Sequence, residues 1–321
     1  MKSSNVVKQI VIVSLNLAIF YFLIRWVVEN IRPDALADAL IRISPTAIGC
    51  AILANTVAVV FCSFRLAVLL RQPFWFSFRI VNLGLGLNAV LPLRMGDVAR
   101  IYYANKLFSL SGAKLLATGL MEKFFDIIAL GCLVVLVLML QGGGYVGAGL
   151  AEILFGLIFA GLLCVAILHK FADGLEKKFR DIAWARTLIS GLREHGRVHS
   201  LPKVSGYTLA IWISNVLVAY LGFALLLPTA GVAVQDAVTL LLIIALAIAI
   251  PGAPSGLGVF EAGIVAYLTQ SFNIENELAL ACAFAFHMAI TIPQVIGAAL
   301  ILLWGRRPVP GRQSTSSLPR G

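Results

Sequence analysis

Residues 251–261 read PGAPSGLGVFE and interrupt an apolar stretch of membrane-helix length. A regular helix does not run through two prolines and three glycines, because proline removes a backbone donor and glycine favours non-helical geometry. Unwound backbone at membrane depth must be buried in protein or line a wet cavity. Pro251, Pro254, Gly256 and Gly258, followed by Glu261, therefore mark a polar place inside the bilayer. A second interruption lies upstream at 88–100, NAVLPLRMGDVAR. Here Pro92 ends one apolar limb and Gly96 is read as the residue that permits the turn. Paired interruptions in the two halves of a chain point to a transporter's substrate site.

The rest of the chain fits this frame. It is 60% hydrophobic and 12% charged over 321 residues, more apolar than any soluble domain of its size requires and typical of a polytopic α-helical membrane protein. The formal net charge of +10 sits in a few segments between apolar runs. That suits membrane orientation and anionic headgroups, and excludes a nucleic-acid-binding domain. The cysteines Cys50, Cys62, Cys132, Cys164 and Cys282 form no C-x-x-C pair, so neither a metal site nor a disulfide framework is expected.

Six stretches are long enough to span a bilayer: 7–29, 46–70, 112–140, 146–169, 204–228 and 277–304. The two interrupted regions have shorter limbs, from Phe78 to Leu91 resuming after Asp97, and from Val238 to Ile250 resuming after Val259. Each is read as a re-entrant hairpin of half-helices, the alternative being a pair of full, kinked helices. The basic segment 170–203, with Lys177, Lys178, Arg180, Arg186, Arg193 and Arg197, and the arginines of the tail place both termini in the cytoplasm. With that orientation the hairpin at 78–107 opens inward and that at 238–271 outward, as an inverted repeat would. Residues 171–202 read as an amphipathic surface helix or a solvated loop. Residues 1–305 form one transmembrane domain, and 306–321 a disordered cytoplasmic tail.

Charged residues inside the apolar runs are the chemical signal. Each costs about 2.5–3.5 kcal/mol near the bilayer centre on insertion scales. Glu122, Lys123 and Asp126 fall in one such run. Glu122 and Asp126, four apart, share a helix face and require a nearby cation. Arg94 and Arg100 are the candidates, with Lys123 alongside. Asp97 suits the first turn of a half-helix, where the dipole favours a negative charge. Two readings stay open for Arg94 and Arg100: a grip on an anionic headgroup through guanidinium–phosphate forks, or a structural ion-pair network. Glu261 is read as the receiver of a cationic headgroup group, a proton carrier, or a residue that neutralises the helix dipole or pairs with an arginine. His287 reads as a helix-packing hydrogen bond or a proton handler. Asn55, Asn88 and Asn215 read as helix bridges. No metal-ligand set, phosphate-binding glycine loop or nucleophile triad is present, and no cofactor is expected.

Three blocks resemble a known family. LNAVLPLRMGDVARIYY is similar to its N-x-x-x-P-x-R-x-G-[DE]-x-x-R block, LMEKFFDIIAL to its E-[KR]-x-x-D helix, and PGAPSGLGVFEAG to its P-x-x-P-G-G-L-G-x-x-E block. The family is the flippase-like group of the lysylphosphatidylglycerol synthase transmembrane region (MprF type) and YbhN-like proteins. The resemblance covers about 5–305, and Ser255 stands where the block usually has glycine. It implies lipid translocation across the cytoplasmic membrane of a prokaryote, with Pro92, Arg94, Gly96, Asp97, Arg100, Glu122, Lys123, Asp126, Pro251, Gly256, Gly258 and Glu261 as matching positions. In the synthases an aminoacyl-transferase domain makes the lipid. No stretch of this sequence reads as one, so a transporter is expected rather than an enzyme.

The expectation is an all-α polytopic membrane protein of six full helices and two opposed re-entrant hairpins. It would move an anionic or zwitterionic phospholipid or a lipid-linked glycan precursor. The expected partners are membrane lipid and, at the cytoplasmic face, lipid or polysaccharide biosynthesis enzymes. The alternatives are a membrane-embedded transferase acting on a lipid-linked donor, and a scaffold for an envelope biosynthesis complex.

Overall fold

A computed structural model of the chain describes residues 31–108, 110–140, 201–249 and 254–304, with the single positions 25, 28, 29 and 156. All regular elements among them are helical. In chain order they are α1 (Pro33–Ile41), α2 (Pro45–Leu70), α3 (Phe74–Val90), a 3-10 turn at Pro92–Arg94, α4 (Met95–Phe108), α5 (Gly112–Leu140), α6 (Leu201–Leu226), α7 (Val234–Ala249), a second 3-10 turn at Pro254–Gly256, α8 (Val259–Phe272) and α9 (Asn276–Trp304). Three of the described helices, α2, α6 and α9, are long and apolar enough to cross a bilayer. The chain is a multi-pass helical membrane protein.

Those three helices form from the predicted stretches 46–70, 204–228 and 277–304. The stretch 112–140 becomes the single 29-residue helix α5, with Lys114, Glu122 and Lys123 in its first half and Asp126 at its midpoint. The expectations for 146–169, 171–202, 306–321 and almost all of 7–29 lie outside the described residues, as do Pro251 and Cys164.

The helix limits have local causes. Pro45 stands at the start of α2, and the Ser44 hydroxyl accepts from the Ala47 N–H. Arg71 closes α2 in the left-handed region. Leu91, held extended (φ −94°, ψ 138°), ends α3 because the residue before a proline is pushed out of the helical region. The limbs differ slightly from the predicted ones. The first runs from Phe74, just after Pro73, and resumes at Met95, directly after a 3-10 turn of three residues; the second begins at Val234.

The two breaks share one backbone design. In the first, Pro92 is followed by Leu93 and Arg94 at φ 57° and 55°. In the second, Pro254 is followed by Ser255 and Gly256 at φ 55° and 73°. Beyond those three residues the breaks differ: Met95 and Gly96 already belong to α4, whereas Gly258 stands before α8 at φ 93°. The turn therefore rests on Leu93 and Arg94, not on Gly96 as the sequence suggests. Gly96 lies inside α4, where an added Cβ would run into the Gly84 carbonyl oxygen and the Asn88 backbone. Its role is to let α3 and α4 touch.

Helix α9 is the axis on which both hairpins register. At 1.5 Å per residue its 29 residues extend roughly 43 Å, with Ile290 halfway. The Asn55 amide of α2 donates to the Ile290 carbonyl at 3.1 Å. Helix α3 runs antiparallel to α9, with Asn82 beside Gly297 and Gly86 beside Gln294, so its tip approaches the middle of α9 from the C-terminal end. Helix α8 approaches from the other end, with Phe260 against Phe286 and His287. The two 3-10 turns meet between them. A buried apolar cluster of Phe223, Phe260, Ile264 and Phe286 packs the α8 side, and one of Val59, Leu66, Phe76 and Ile80 packs the α3 side.

Candidate functional site

A chain of ion pairs runs from the first turn into the space between α2, α4 and α5. Arg94 Nε lies 3.4 Å from Asp97, and Arg100 Nε lies 3.7 Å from the other oxygen of the same carboxylate. Arg100 reaches Glu122 at 3.1 Å through a terminal nitrogen. Glu122 lies 3.9 Å from Arg65, and Arg65 grips both oxygens of Asp126 at 2.7 and 3.4 Å. Lys123, more than half exposed, flanks Asp126 at 3.9 Å. Asn88 ties the first hairpin together. Its carbonyl accepts from the Asp97 N–H at 3.2 Å, and its amide donates to the Asp97 carboxylate at 3.3 Å.

Arg94, Asp97, Arg100, Glu122, Lys123 and Asp126 thus come together, but with a partner that sequence reasoning missed. Arg65 is 4% exposed and sits five residues before the end of α2. It also donates to the Thr208 hydroxyl at 3.2 Å, and that hydroxyl in turn donates to the Val204 carbonyl. The signal was available: the one charged residue of a 26-residue membrane helix demands a partner. Asp126 and Glu122 take their main cations from different helices, Arg65 and Arg100, rather than sharing the arginines of the break. Arg94 touches neither. Room for Arg100 comes from Gly84 and Gly119, which both lie against its side chain.

The two breaks are joined by a direct bond. Arg94 donates to the Ile248 carbonyl at 3.4 Å, next to the end of α7. The guanidinium of a half-exposed arginine therefore lies where the two turns meet, held by long contacts. Glu261 has a separate set of partners. One of its oxygens accepts from the Gly258 N–H at 2.6 Å, capping α8, and the other lies 2.6 Å from His287 Nδ1. The Phe260 ring stacks on His287 with centroids 4.1 Å apart. Asn55 and Asn88 bridge helices, whereas Asn215 makes no such bond among the described residues. Those residues also contain no cluster of metal-ligating side chains.

This arrangement can neutralise charge in the bilayer, and it leaves Arg94 loosely held and partly exposed where the two turns meet. Comparison with curated proteins returns no match. A family model does match, over residues 12–298, and it takes in both breaks, the Arg65 cluster and the Glu261–His287 pair. The chain accordingly belongs to the family of the lysylphosphatidylglycerol synthase TM region.

Proposed function

We propose that the protein translocates an anionic or zwitterionic phospholipid, or a lipid-linked glycan precursor, with Arg94 receiving the headgroup phosphate. One observation carries the reading. Arg94 and Gly256 hold equivalent places in two turns of the same backbone design, both left-handed. Glycine adopts that conformation freely, whereas an L-residue in it costs about 1–2 kcal/mol. Strain kept at one residue, where its structural counterpart avoids it, points to a side chain that is needed there.

The neighbouring geometry supports the same reading. Asp97 lies between Arg94 and Arg100 at ion-pair distances of 3.4 and 3.7 Å, which an incoming phosphate can match with shorter bonds. The Arg65–Asp126 and Arg100–Glu122 pairs are tighter and more buried, and act as the frame. Hairpins that approach α9 from opposite ends and meet at its middle support two re-entrant segments related as an inverted repeat. On this reading both termini are cytoplasmic and biosynthetic enzymes at that face supply the lipid.

The test is lipid crossing in reconstituted vesicles with labelled phosphatidylglycerol, phosphatidylethanolamine and polyprenyl-linked sugar. Wild type should carry at least one above protein-free vesicles. Arg94→Gly should lose the activity while melting no lower than wild type, since it removes strain worth about 1–2 kcal/mol. Crossing that persists in Arg94→Gly would refute the assignment of Arg94.

A further inference from the structure

We infer that Glu261 and His287 form a proton-binding site that serves as the coupling site of the second hairpin. The inference deepens the proposed translocation by naming its coupling ion. Three features carry it. The His287 side chain is 1% exposed and its Nδ1 stands 2.6 Å from the Glu261 carboxylate. Its other ring nitrogen, Nε2, is buried with no hydrogen-bond partner among the described residues. And the same carboxylate holds the N–H of Gly258, the left-handed residue with which the second break ends. An unmade hydrogen bond in a buried place costs about 1–3 kcal/mol, so a buried Nε2 without a partner among the described residues marks a place where a proton can be taken up or given away.

The step balances with one proton. In the loaded state the imidazolium donates from Nδ1 to the carboxylate and carries a second proton on Nε2, so the pair has no net charge. Release of the Nε2 proton to bulk water, when the site opens to it, leaves a neutral ring that still donates from Nδ1. The pair then carries one negative charge, and no bond between heavy atoms changes. That charge sits on the carboxylate that caps α8, so loading changes the electrostatics of the break directly.

The other titratable groups of the packed elements are few. Helix α7 offers Asp236 and α8 offers Tyr267, but these bond each other at 2.8 Å near the opposite ends of their helices from the break. Helix α9 offers Glu277, held by Arg32 at its first turn, and Cys282 in the apolar cluster. The first turn offers Arg94, bonded to Ile248. The described part of α2 adds Cys50, Cys62 and Arg65, and that of α6 adds Lys203, Tyr207 and Tyr220; Arg65 is bound to Asp126, Cys62 packs on the α3-side cluster, Tyr207 stacks on Phe64 and Tyr220 packs beside Ala219 and Leu241, and none of the six bonds to Glu261 or His287 among the described residues.

The experiment uses the full chain, ¹⁵N-labelled at its four histidines, in phosphatidylglycerol-containing nanodiscs, with His287→Gln to assign the resonance. Across the pH range in which the protein stays folded, the His287 ring should interconvert between its two protonation states, and Glu261→Gln should change that interconversion. A ring in one state across this range, or an interconversion that ignores Glu261→Gln, would overturn the site. If either variant fails to fold, the wild-type titration with assignment by proximity to Phe260 decides. In vesicles containing a pH-sensitive dye, wild-type lipid crossing should move protons, and His287→Gln should abolish that movement. Titration without any lipid crossing would leave the proton site standing and sink translocation. Crossing without titration or proton movement would do the reverse.

Discussion

Arg65→Leu is expected to destabilise the protein by about 3–5 kcal/mol, the usual result of stripping one partner from a buried ion pair. The substitution leaves Asp126 without its bidentate cation and Glu122 with Arg100 alone. It also removes the donor to Thr208 that fastens α2 to α6. A lower melting temperature in detergent measures the effect. Adding Asp126→Leu should recover much of the loss, because the orphaned carboxylate and not the missing arginine is the main penalty. If Arg65→Leu melts like wild type, the ion-pair chain is not the frame of the first hairpin.

Gly96→Ala should be nearly as damaging, through sterics. The added methyl meets the Gly84 carbonyl and the Asn88 backbone, atoms that do not move aside as a side-chain end would. Overpacking of this kind costs about 1–3 kcal/mol. It would also part the Asn88–Asp97 bonds and displace Arg94 and Arg100, so lipid crossing should fall further than stability. Gly49→Ala in α2 is the control. Its Cβ would meet nothing within 4 Å, and alanine favours a helix over glycine by about 1 kcal/mol. Equal effects of the two substitutions would refute the close-approach role of Gly96.

The breaks were legible because proline and glycine act locally, and apolar length alone indicated α2, α6 and α9. The meeting of Glu122, Asp126, Arg94 and Arg100 was legible only in outline. Charges in a membrane run announce that partners exist, but which charge meets which depends on helix rotation, and no spacing encodes it. Arg65 escaped because it stands by itself among apolar residues, with no motif around it. Glu261 and His287 lie on different helices 26 residues apart, beyond any periodicity. The role of Gly96 was misread for a different reason: a glycine beside a proline suggests a turn, and only coordinates separate conformational freedom from a need for empty space.

Pro293 has a mechanical consequence. It lies within α9, between the levels at which α8 and α3 make contact, at His287 and Gln294. Proline supplies no amide hydrogen, so the Ala289 carbonyl lacks its helical donor and the rod is weakest there. One half of α9 can therefore swing with α8 while the other half stays with α3. Any shift of one hairpin relative to the other would be absorbed at this joint, with the helical repeat kept intact on either side of it.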